Sequence, residues 1–126
     1  MLTRQIAEEI LGQPTTVLDS ESGSAGADCQ RAGTRDVDDQ VEYGWQKPDT
    51  PGYETPDQRA AGCQGKISRP AEFGAGAVLC QYRPQPLEAD WLGWTVNGVL
   101  YIVVIHVDDQ ELPDDATLHT AHLLTS

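Results

Sequence analysis

At 126 residues the chain has the length of one domain, long enough to hide about two thirds of its unfolded surface without a metal or a disulfide cage. Twenty acidic against eight basic residues give a formal charge of −12, which opposes phosphate backbones and anionic lipid surfaces and excludes nucleic acid as the expected partner. Hydrophobic residues are 39% of the chain with one Phe and one Met, so the core must be aliphatic with a few Trp and Tyr anchors, and no run is long enough for a membrane helix.

Leu2, Ile6 and Ile10 recur every four residues beside Ala7 and Leu11, with Thr3 as N-cap and Gly12 and Pro14 as the stop, which predicts a short amphipathic helix. A brief extended piece follows from Pro14 to Val17. Residues 19–28, DSESGSAGAD, are too polar and too rich in Gly and Ser to bury anything and read as a mobile loop. Cys29 to Gly33 is a weak strand. Val41, Tyr43 and Trp45 alternate with Glu42, Gly44 and Gln46, which marks a strand with one buried face. Pro48, Pro51 and Gly52 break it. Thr55-Pro56-Asp57-Gln58 then supplies an N-cap, an N1 proline, a first-turn acid and a capping-box Gln, so a second short helix starts there and ends around Gly62 to Gly65. After Arg69-Pro70 a Gly-rich turn leads into a strand in which Val78, Cys80 and Tyr82 share a face, and Pro84 and Pro86 end it.

The strongest signal is Trp91 to Val107. Asn97-Gly98 between two β-rich runs suits a type I′ turn, and pairing Val96 with Val99 puts Trp94 opposite Tyr101 and Leu92 opposite Val103, with Ile105 and Val107 on the same core face. The reverse face sets Trp91, Gly93 and Thr95 across from Val104, Ile102 and Leu100, and a helix, a ligand or a partner must cover it. Beyond an acidic loop, Pro113 is the expected N1 of a last helix whose apolar stripe, Leu118, Ala121, His122 and Leu124, is suited to that role. The expected fold is α+β: a single domain over 1–126 with one antiparallel sheet of about five strands and short helices at the N-terminus, mid-chain and C-terminus.

Three cysteines form no CxxC. In an oxidising compartment Cys63 with Cys80 is the preferred disulfide, closing a loop of about 18 residues worth about 3 kcal/mol in the chain-entropy model. Cys29 with Cys80 is the other pairing, and in a reducing compartment all three are small buried hydrophobes.

Ile10-Leu11-Gly12 closing the first helix, Cys29 on the next strand, the aromatic strand VEYGW and the Gly74-Ala75-Gly76-Ala77 turn before the last strands resemble small actinobacterial cell-envelope lipoprotein domains. The resemblance spans most of the chain through soft motifs. It implies an exported, extracytoplasmic binding or accessory module without catalysis. The chain begins Met1-Leu2-Thr3 and carries no lipobox cysteine, so the native signal or anchor of that pattern is absent from it.

Chemistry-bearing patterns are sparse. His119 and His122 are one helical turn apart beside an acidic loop, but two His without a fixed third ligand do not make a metal site. His106 and Asp108 share a strand face, which suits a hydrogen-bonded structural histidine better than a general base. There is no G-x-S-x-G elbow and no phosphate loop, so neither an enzyme nor a cofactor is expected. Amphipathic aromatics suggest a binding surface instead, with Trp91, Thr95, His106 and Tyr53 as its candidates. The partner class is a protein or a small ligand. The alternative function is an acidic inhibitor or immunity-type protein that neutralises a basic protein partner, which could also act in the cytoplasm.

Overall fold

The computed structural model describes residues 2–125. Its centre is a seven-stranded, fully antiparallel sheet, not the five or so strands the sequence suggests. The chain runs α1 (Arg4–Leu11), β1 (Thr15–Ser22), β2 (Gly26–Gly33), β3 (Gln40–Gln46), α2 (Pro56–Ala60), β4 (Lys66–Ser68), β5 (Val78–Tyr82), β6 (Leu87–Val96), β7 (Val99–Asp108) and α3 (Ala116–Thr125). The strand order β1-β2-β3-β7-β6-β5-β4 describes two meanders, β1–β3 and β4–β7, joined where β3 pairs with β7. Sheet and helices together make the domain α+β.

The hairpin has the expected register. Val96 pairs with Val99, Trp94 with Tyr101 and Leu92 with Val103, and the turn residues Asn97 and Gly98 have φ of 52° and 82°, both in the left-handed region a type I′ turn requires. Leu92, Val103, Ile105 and Val107 are fully buried. Trp94 stacks on Tyr101 at 5.6 Å and meets Phe73 at 5.0 Å. Thr3 caps α1 through a 3.2 Å bond from the Ile6 amide, and Gly12 closes it in the left-handed conformation. The reciprocal bonds of Thr55 and Gln58 form the capping box of α2, which ends at Ala60 and so stops short of Gly62.

Three expectations are corrected. Residues 19–28 are mostly paired strand: Asp19 to Ser22 belong to β1 and Gly26 to Asp28 to β2, leaving a tight turn closed by the Gly23 amide on the Gly26 carbonyl. Only Thr15 of β1 is buried, so this edge strand has no apolar alternation to betray it. The short edge strand β4, with no buried residue, was hidden for the same reason. Finally, α3 packs with α1 on the Leu92 and Trp94 face and leaves the reverse face to others, and it begins at Ala116 after a turn accepted by the Pro113 carbonyl.

That docking has a polar anchor. Arg83 donates to both oxygens of Asp90 (3.0 and 2.9 Å) and to the Leu112 carbonyl (2.6 Å), while Thr117 of α3 donates to Asp90 at 2.9 Å. Glu88 accepts from the Leu112 amide and from Gln85. Both acids lie on the helix-covered face, so the start of α3 is drawn to it. Asp39 makes a second such knot, accepting from Gln13, Gln110 and the Asp108 amide.

Candidate functional groove

Strand register assembles the face turned away from α1 and α3. Glu21, Asp28, Gly44 and Ile102 lie in one row across β1, β2, β3 and β7; Asp19, Gln30, Glu42, Val104 and Trp91 lie in the next, which continues into β6. One half of the face is therefore acidic and the other apolar. Over the apolar half sits α2, fastened by the Cys63–Cys80 disulfide between the segment after α2 and β5, with a Cα–Cα distance of 6.0 Å. Pro56 at its start is buried, and a Cβ on Gly93 would stand 3.6 Å from its ring and 3.4 Å from the Trp91 indole. Because α2 has only five residues, it stops short of the acids and leaves a groove.

The groove comprises two adjoining cavities of about 310 Å³ each, both lined by Arg59, Ile102 and Val104. One extends to Asp28, Glu42 and Gln46, the other to Trp91 and Glu54. Gly44 is required here. A Cβ there would stand 2.9 Å from the Ala27 carbonyl oxygen and 3.0 Å from Asp28 Oδ1, so glycine lets the Asp28 carboxylate lie over β3.

Burial, and then the hydrogen bond and charge of Asp28, push the Glu42 carboxyl from 4.5 up to about 7, against the pull of Arg59. Below about 7 Glu42 thus keeps its proton and can donate it to the Asp28 carboxylate. Arg59 is half-buried, yet among the described residues it forms no ion pair with either acid. Its Nε and the Oε1 of Gln46 are closed off from solvent and have no hydrogen-bond partner. Each such atom costs about 1–3 kcal/mol while it stays unpaired. The two cavities together present negative charge, positive charge and an apolar floor.

Of the four residues expected from sequence, Trp91 lines this groove. Tyr53 donates its hydroxyl to the Gly98 carbonyl at 2.8 Å, pinning the hairpin turn, and Thr95 pairs with Leu100 near the same turn. His106 lies towards the other end of the face, where its Nδ1–H donates to the Asp38 carbonyl at 2.7 Å; it makes no contact of this kind with Asp108. His119 and His122 lean on Glu9 and Glu72 at 3.8 and 3.9 Å, and among the described residues no group of three or more His, Cys, Asp or Glu is arranged to hold a metal. Cys29 is free and half-buried against the core.

Asp28, Glu42, Gln46 and Arg59 were not singled out from the sequence. Asp28 was hidden in the polar stretch assigned to a loop, and Arg59 in a helix whose position over the sheet depends on the disulfide. The one available signal was the apolar reverse face of the hairpin, which had to meet something. No helix among the described residues is long and apolar enough to cross a membrane, and disulfides such as Cys63–Cys80 persist in oxidising compartments. Compared with known protein families, curated proteins and solved structures, the chain matches none.

Proposed function

We propose that this chain is a non-catalytic binding domain that works outside the cytoplasm at the cell envelope and holds its ligand in the groove between α2 and the acidic half of the sheet. The observation that carries the reading is the unspent charge of that groove: Arg59 lines the same cavity as Asp28 and Glu42 and, among the described residues, pairs with neither. Polar groups kept apart in a cavity with an aliphatic floor and an indole wall are what a complementary ligand satisfies. The disulfide favours the compartment, as does the resemblance to envelope lipoprotein domains.

The test is retention of envelope components from the source organism on immobilised protein, with Arg59→Ala/Trp91→Ala beside the wild type and near-UV circular dichroism to verify that the Trp94–Tyr101 core is intact. A component that the wild type retains and the double variant loses supports the reading. Identical retention by both sinks it. A second reading, an acidic inhibitor of a basic protein, draws on the −12 charge and the acids along the groove. Salt separates the two: an inhibitor complex held by charge should weaken steeply as ionic strength rises from about 0.05 to 0.5 M, whereas a ligand enclosed in the groove should be retained.

A further inference from the structure

We propose that the groove recognises a small zwitterion of the α-amino-acid type with an apolar side chain: its ammonium seated between Asp28 and Glu42, its carboxylate on Arg59, and its side chain over Ile102 and Val104 against Trp91. This rests on the groove being the ligand site. Three separate observations point to one ligand that carries both charges and an apolar body. Asp28 and Glu42 adjoin on neighbouring strands and favour a cation. Arg59 shares their cavity, yet among the described residues it forms no ion pair, so its guanidinium charge is left to meet an anion. Apolar side chains of β7 and the indole of Trp91 continue past Arg59 into the second cavity, which suits a hydrocarbon body.

A simple amine would leave Arg59 unsatisfied, and a simple carboxylate would face Asp28, Glu42 and the nearby Glu21 and Glu54. A zwitterion meets both ends. Glu42 adds a pH signature: an ammonium favours the ionised carboxyl, so affinity for the zwitterion should rise as pH increases through about 7.

The test is calorimetric titration of the full chain, disulfide intact, with three probes sharing one hydrocarbon skeleton: L-leucine, 3-methylbutylamine, which lacks the carboxylate, and 4-methylpentanoate, which lacks the ammonium. Leucine should bind, and each truncated probe should bind at least about tenfold more weakly. Arg59→Leu should bring leucine down to the affinity of the amine while leaving the amine unchanged, and Asp28→Asn/Glu42→Gln should bring it down to that of the carboxylate. Should 3-methylbutylamine bind as tightly as leucine, the groove is a cation site and the proposal is overturned. Absence of leucine binding overturns it too. In that case the envelope-retention comparison still decides the broader reading: a component lost with Arg59→Ala/Trp91→Ala keeps the groove as a binding site for a different ligand, and no difference removes both.

Discussion

Asp90 has no exposed side-chain surface, and burial raises its carboxyl above the ordinary 3.8, while the Thr117 hydroxyl and Arg83 work to keep it charged. Arg83 is therefore the side chain whose loss the fold should feel most. Arg83→Met leaves an uncompensated acid under the start of α3 and should cost about 3–5 kcal/mol in urea unfolding; adding Asp90→Leu, which removes the orphaned acid, should recover much of that loss. Glu42 works through pH. Its carboxyl sits at about 7 in the fold against 4.5 as the ordinary value, so between these limits the native state holds a proton that the unfolded chain has released. A raised carboxyl contributes its full stability below 4.5 and loses it as pH rises through about 7. Compared with Glu42→Gln, the wild type should thus lose about 1–2 kcal/mol between pH 5 and 8, after allowing for solvent screening of this half-buried group. Equal slopes for the two proteins would show that the fold does not raise the Glu42 carboxyl.

Among the elements, α2 depends most on a single link. With five residues it is far below the length at which a helix is stable alone, so its capping box, Pro56 and the nearby Cys63–Cys80 bridge hold it to the sheet. Reduction should cost about 3 kcal/mol by the loop-closure argument, and should also free Arg59 to swing away from the groove. Thiol labelling with mass spectrometry on protein taken from its native host tests the premise: Cys29 should label and Cys63 and Cys80 should not until reduced. The elements legible in the sequence were those with a covered face or a defined cap. The hairpin, β3, β5 and the N-cap of α2 each carry such a mark. Strands β1 and β4 carry none, because an edge strand wet on both sides has no reason to alternate.

For the molecule as a whole, the same difference decides how much of the groove could be foreseen. Its apolar half follows from the hairpin register, so Trp91, Ile102 and Val104 were in view from the start. Its acidic half needs β1 and β2 in place, and those are the strands that composition disguises as loop. The assignment of α3 to the wrong face has a related cause: an incomplete apolar stripe says that a helix must be buried, but the side it takes is set by the distant Arg83, Asp90 and Thr117 contacts.

The line along which β3 pairs with β7 is where the two meanders of the sheet meet, and the groove lies across it. Asp28 and Glu42 belong to one meander; Arg59, Trp91, Ile102 and Val104 belong to the other or to its helix. A ligand gripping both sets would act as a cross-brace over that seam, carrying load between two halves that otherwise share seven paired positions there. Holding the ligand and holding the halves together then become one mechanical property.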